Sequence, residues 1–145
     1  MIFNSVAIAS DHRGYQMKSA LIAYLDELGY RYTDFGASNE TTSVDYPDFA
    51  DMVTDYTINH EKAMGILICF SGVGMSIAAN RRKGIRAVLC YSEEIARLSR
   101  EHNNANILCF GTGFLDVSLA KKCLITFMNT SFDPRHSRRL EKIDK

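Results

Sequence analysis

Apolar and polar positions along the chain repeat with two periods. Ser5 to Ser10 (SVAIAS), Gly65 to Phe70 (GILICF), Ile85 to Tyr91 (IRAVLCY) and Ile107 to Phe110 (ILCF) are short runs, mostly apolar, that suit strands buried on both faces of a parallel sheet. Tyr30 to Phe35 reads as a shorter, alternating strand. Between these runs the period lengthens. Met17, Leu21, Tyr24, Leu25 and Leu28 recur at helical spacing up to Gly29, a C′ glycine, and Pro47 suits the first turn of a helix that turns Phe49, Ala50 and Val53 inward. Met75 to Asn80 can start a helix after a glycine turn, Ser92-Glu93-Glu94 opens another, and Leu115, Leu119, Cys123 and Phe127 mark a long one. Pro134 to Ile143 forms a final, strongly basic helix or tail, with the helix expected over about 134–145.

Strands alternating with helices predict right-handed βαβ crossovers: an α/β fold with a doubly wound, five-stranded, mostly parallel sheet, order 2-1-3-4-5, and helices on both faces. In such sheets ligands bind beyond the C-terminal strand ends where strand order reverses, here between strands one and three. Asp11-His12 and Cys69-Phe70-Ser71-Gly72 end those strands. Position selects these residues before any chemistry is invoked.

Composition narrows the picture. A chain of 145 residues without repeats or long linkers is expected to be one domain, residues 1–145. Seventeen basic and seventeen acidic residues cancel, so nothing global argues for nucleic acid or a membrane surface. No basic leader precedes an apolar core, and no apolar stretch nears the ~18 residues of a membrane span. Cys69, Cys90, Cys109 and Cys123 lack CxxC spacing, which fits reduced thiols in a cytoplasmic protein rather than disulfides or a zinc site. Neither a metal nor a cofactor is expected.

The richest stretch is Gly65 to Ala79, GILICFSGVGMSIAA. Ser71-Gly72-Val73-Gly74 permits positive φ and close backbone approach, and the amides there and in the following helical turn converge with partial positive charge. Cys69 lies at the lip of that anion site. A cysteine at a strand end is often just a small buried hydrophobe, but a glycine turn and helix start favour the thiolate, which can act as nucleophile or base. Known uses of such turns fail on spacing. A cysteine phosphatase needs arginine where Met75 stands, and the dinucleotide fingerprint needs glycine at Ile77 and an acid where Tyr91 stands. A Walker-type loop needs Gly-Lys-Ser/Thr. What remains is an anion or oxyanion cradle beside a thiol. His12 adjoins Asp11, His102 with Asn103 ends a helix, and His136 lies within Arg135-His136-Ser137-Arg138-Arg139. Arg135 and Arg139, four apart, share one face of a helix and could hold one dianion, or form a solvated basic terminus. Tyr46, in Asp45-Tyr46-Pro47, is either a helix entry or a side chain aimed into the crevice.

At these residues the chain resembles the B-type ribose-5-phosphate isomerases and the related galactose-6-phosphate isomerase subunits. ASDHRG at 9–14, DYPDFA at 45–50, GILICFSGVGMSIAAN at 65–80, GIRAV at 84–88, SREHNNANIL at 99–108 and RHSRRLEKI at 135–143 carry the resemblance in order. It implies a Rossmann-like, metal-independent aldose–ketose isomerase of the non-oxidative pentose phosphate pathway, a homodimer or dimer of dimers. The expected reaction interconverts ribose 5-phosphate and ribulose 5-phosphate through an enediolate. The alternatives are a six-carbon phosphosugar such as galactose 6-phosphate or allose 6-phosphate, or a non-catalytic phosphosugar-binding subunit. By resemblance Cys69 is the base, Ser71 and the amides of Gly72, Val73, Gly74 and Met75 face the oxyanion, and His102, with Asp11 nearby, opens the furanose ring. His12, Tyr46 and Asn103 contact the sugar, and Arg135, His136 and Arg139 form a phosphate clamp reaching across from the partner subunit. Three positions depart from the pattern: Phe70 replaces a common glycine, Ser71 a commoner threonine, and Gly113 an arginine that many members direct to the phosphate.

Overall fold

β1 (Ser5–Ser10), β3 (Ala63–Cys69) and β5 (Ile107–Gly111) are buried along their whole length, whereas β2 (Tyr32–Asp34) and β4 (Ala87–Leu89) are short and partly exposed. Strands apolar on both faces belong in the middle of a sheet. The sheet accordingly runs β2-β1-β3-β5-β4, with all neighbours parallel. The structure, a computed structural model, describes residues 1–144.

The expected fold class is present, with one correction: the order is 2-1-3-5-4 rather than 2-1-3-4-5. Ile107–Gly111 is the more thoroughly apolar segment and takes the inner position beside β3, leaving β4 at the edge. The exchange leaves the reversal between β1 and β3 untouched.

Neighbouring residues on each strand feed opposite cores. Ile8, Ile66 and Leu108 pack with Leu21, Leu25 and Phe127 from α1 (Tyr15–Glu27) and α5 (Val117–Asn129). Ala7, Leu67 and Cys109 pack with Val53 and Met75 from α2 (Tyr46–Asn59) and α3 (Val73–Ala79). Helix ends follow the sequence signals: Gly29 turns left-handed (φ 68°) just after the C-cap of α1, and the Ser92 hydroxyl accepts the Ile95 amide to cap α4 (Glu93–Asn103).

The expected C-terminal helix over 134–145 is not continuous. A 3-10 turn at Pro134–His136 leads into one helical turn, α6 (Ser137–Leu140). Neither buries a residue, so no packing sustains a longer helix. Lys145 lies outside the described residues. Among the described residues no helix is long and apolar enough to cross a membrane, and all four cysteines are free and buried.

Candidate active site

β1 and β3 are adjacent, but α1 and α3 leave them toward opposite faces, so their C-terminal ends bound an open crevice. On the β1 side, Asp11 Oδ1 accepts the amides of Arg13 and Gly14, both at 3.0 Å, which folds the loop into a tight turn. His12 Nδ1 accepts the Val44 amide at 3.2 Å, pinning the 35–45 loop and leaving Nε2 as the N–H of the neutral ring.

The β3 side carries the thiol. The Gly72 amide donates to Cys69 Sγ at 3.2 Å, and the Val73 amide donates to Ser71 Oγ at 3.2 Å. Gly72 is left-handed (φ 79°), and a Cβ there would meet Leu89 Cδ1 at 2.7 Å and the Phe110 carbonyl carbon at 3.0 Å. Only glycine meets both demands without strain. The first intrahelical bond of α3 runs from Ser76 to Gly72, so the Gly74 and Met75 amides have no intrahelical acceptor and face the crevice end of the helix. A Cβ on Gly74 would strike the Tyr46 ring at 2.7 Å, so Tyr46 lies directly over the turn.

Two residues outside the sequence-based set brace this turn. The Tyr91 hydroxyl donates to the Ser71 carbonyl at 2.5 Å. That carbonyl and the Gly72 N–H belong to one planar peptide, so Tyr91 holds one side while the other side points at Cys69 Sγ. Burial, then the negative charge of Cys69, raises the Tyr91 phenol above its ordinary value, which keeps the hydroxyl a donor. Gly111 is the second: its Cα side lies against the Ser71 backbone, closer than any side chain would allow. Neither has a sequence signal of its own, because both act on the backbone of Ser71 rather than on a recognisable side chain. By contrast Cys109 serves only packing, and burial pushes its thiol well up.

Phe70 and Gly113 prove to be a single feature. The Phe70 ring occupies the space that a Cβ on Gly113 would need, so the ring takes this position because residue 113 is bare. Phe114 tilts against the same ring, and the Arg13 guanidinium lies 3.9 Å from its centroid.

The remaining expected site residues lie elsewhere. α4 starts beside the C-terminal strand ends and runs 11 residues, ~16 Å, back along the sheet. Arg86, just before β4, donates to the Asn103 carbonyl at 2.9 Å, which fixes His102 and Asn103 at the opposite, N-terminal end. Within one chain His102 therefore lies at the other end of the sheet from Asp11. The His136 ring instead lies against the His102 ring, centroids 4.5 Å apart. Arg135 Nε donates to His136 Nε2 at 3.2 Å, and Arg139 Nη1 lies 3.3 Å from Nδ1. The two arginines thus bracket the imidazole, although no single helical face carries them. Partial burial, then His102, Arg135 and Arg139, lowers the His136 pKa. One fold thus places the expected site residues in two clusters, at opposite ends of its sheet.

Comparison with known proteins agrees over nearly the whole length. The family described as Ribose/Galactose Isomerase matches residues 6–143. The chain is 41% identical over 140 residues to ribose-5-phosphate isomerase B of Escherichia coli strain K12, spanning 95% of this chain and 93% of that protein. It is similar in structure to a ribose 5-phosphate isomerase from Thermotoga maritima, with a TM-score of 0.94, 47% identity and 97% of each chain covered. The same holds for ribose-5-phosphate isomerase B from Mycoplasma genitalium with bound ribulose-5-phosphate, at a TM-score of 0.91, 40% identity, and 96% and 93% of the two chains. With a shared fold, a thiol-bearing glycine turn at the reversal point and identity of this extent, the chain belongs to the ribose/galactose isomerase family.

Proposed function

We propose that the protein interconverts ribose 5-phosphate and ribulose 5-phosphate, with Cys69 as the base and a second copy of the chain completing the site. One observation carries the reading. Cys69 Sγ accepts the Gly72 amide at 3.2 Å in a turn whose next amides, Gly74 and Met75, have no intrahelical acceptor, so a base and oxyanion donors flank one place. The names of the relatives support the substrate.

In the proposed reaction the Cys69 thiolate takes the proton from C2 of the open-chain aldose. The C–H electron pair forms the C1–C2 double bond, and the carbonyl pair moves to O1, where Ser71 Oγ–H and the free amides stabilise the charge. O1 then gains a proton as O2 loses one, and the Cys69 thiol returns its proton to C1, giving the ketose. Asp11, His12 and Tyr46 line this half-site and hold the sugar.

Ring opening by His102, contact by Asn103 and phosphate capture by Arg135, His136 and Arg139 all belong to the other half-site. A two-fold homodimer, or a dimer of dimers, that sets one copy's basic end over the other's crevice would unite them. The exposed apolar side chains Val73 and Ile77 on α3 and Ile95 on α4 support such a contact beside the crevice. In this reading the C-terminal segment serves the neighbour's site, and the four free thiols fit a cytoplasmic protein. A six-carbon phosphosugar is the second reading, favoured by the galactose in the family description.

The test follows ribulose 5-phosphate formation from ribose 5-phosphate with a chelator present, alongside Cys69→Ala. Turnover that survives the chelator and falls at least ~10²-fold in the variant supports reaction and base together. Turnover only on galactose or allose 6-phosphate moves the substrate to six carbons. Tight phosphosugar binding without any turnover would leave a binding subunit.

A further inference from the structure

We propose that Arg13 is a phosphate-binding residue that each chain contributes to its own crevice, held in position by the Phe70 ring. This rests on the phosphosugar reading above. The five loops that leave the C-terminal strand ends span residues 11–14, 35–45, 70–72, 90–92 and 112–116. Arg13 is the single Lys or Arg in all of them, whereas Asp11, Glu40, Asp45 and Asp116 make the surroundings acidic. A phosphate dianion entering this end therefore meets one full positive charge supplied in cis.

That charge is uncommitted. Lys18, the nearest other cation by sequence, is buried and bound to Asp34 at 2.7 Å, so it is not available to a ligand. Arg13 is exposed and, among the described residues, forms no salt bridge. The cleft of about 530 Å³ that it lines with His12 and Thr112 also includes Glu40 and Asp116, and each of these acids already accepts a hydrogen bond from a group other than Arg13. Gln16 Nε2 donates to Glu40 at 2.6 Å, and Asp116 caps α5 through the Leu119 amide at 2.8 Å.

The guanidinium is also oriented. Its Cζ lies 3.9 Å from the Phe70 ring centroid, and the Thr112 hydroxyl donates to the Arg13 carbonyl at 3.4 Å. Stacking on a ring fixes the guanidinium plane while its edge N–H groups stay free to bind an oxyanion two at a time. Phe70 immediately follows Cys69, so the ring that orients the cation belongs to the residue next to the base. Gly113 leaves the ring the space it needs. Phe70 is thus a positioning residue, and Arg13 makes the contact.

The experiment compares the parent with Arg13→Gln, Arg13→Lys and Phe70→Leu in steady-state kinetics on ribose 5-phosphate, with inorganic phosphate as competitive inhibitor. Losing a charge-assisted pair should raise KM and the phosphate inhibition constant roughly 10- to 100-fold in Arg13→Gln, with kcat within about threefold of the parent. Arg13→Lys should recover part of the loss. Phe70→Leu should raise KM severalfold and add little to Arg13→Gln in the double variant, because both changes act through one contact. Unchanged KM and phosphate inhibition in Arg13→Gln overturn the inference while leaving the isomerase reading intact. A parent inactive on all three phosphosugars fails that reading instead, and equilibrium titration with inorganic phosphate then decides Arg13 alone. Binding weakened in Arg13→Gln supports it; equal binding, or none by the parent, overturns it.

Discussion

The two ends of the sheet are built differently. At the C-terminal end every part of the Cys69 turn is fixed: Gly72 by its left-handed backbone, Ser71 by Tyr91 and Gly111, Tyr46 by Gly74. At the N-terminal end, His102 and the basic segment meet through exposed or half-buried side chains, and the 3-10 turn and α6 bury nothing. Proton transfer needs its base and oxyanion donors held rigidly, whereas a clamp on a charged group tolerates adjustable arms. The contrast matches the proposed division, with proton transfer at the rigid end of each chain and ring opening and phosphate capture at the adjustable end of a second copy.

The most severe test is to separate the ends genetically. Cys69→Ala and His102→Ala should each fall at least ~10²-fold in kcat. Mixing the two inactive proteins under conditions that exchange subunits should restore about a quarter of parental activity, because half the dimers are mixed and each carries one intact site. No recovery, with exchange verified by native mass spectrometry, would mean that both residues act within one chain. Next in size, Arg135→Ala with Arg139→Ala should raise KM on the order of 30-fold while thermal stability stays within about 0.5 kcal/mol of the parent. A matching loss of stability would make that end structural rather than a ligand arm.

The preformed end is tested by Gly72→Ala. A left-handed alanine whose Cβ meets Leu89 and the Phe110 carbonyl should cost about 2 kcal/mol, lower the melting temperature by roughly 6 °C and reduce kcat about tenfold. A variant that melts with the parent would show that the turn is looser than its geometry implies.

The preformed end was also the more legible in sequence. Cys69, the glycines after it and the strand ends at Asp11 and Cys69 follow from local pattern plus one topological rule, and the structure brings Asp11, His12, Tyr46 and the Cys69 turn to one crevice. Sheet order failed at β4 because IRAVLCY is apolar enough to read as a buried strand, yet only Ala87–Leu89 pairs, at an edge. Where His102 lies depends on which end of the sheet a helix terminus reaches, a tertiary property that helical periodicity does not encode. The Arg135–Arg139 spacing suggested one helical face, whereas the pair converges by bracketing His136. Arg13 and Phe70 went unpaired because their contact joins loops from different strands.

Tyr91 offers the finest probe of the preformed end, because its hydroxyl touches no reacting atom. Tyr91→Phe keeps the ring beside Phe114 and removes only the bond to the Ser71 carbonyl. The Ser71–Gly72 peptide can then rotate, and its N–H no longer stays aimed at Cys69 Sγ. The expected result is a threefold to tenfold fall in kcat, roughly 1 kcal/mol, with KM nearly unchanged. pH supplies an independent readout. The Tyr91 pKa is raised above 10.0 in the folded chain, so its bond is fully present below the unfolded value and is lost as pH rises through the higher folded value. An alkaline fall in kcat should therefore appear in the parent and be missing in Tyr91→Phe. If both proteins share the same alkaline limb and the same kcat, the peptide is held by Gly111 and Gly72 alone, and the rigidity of this end comes from its glycines.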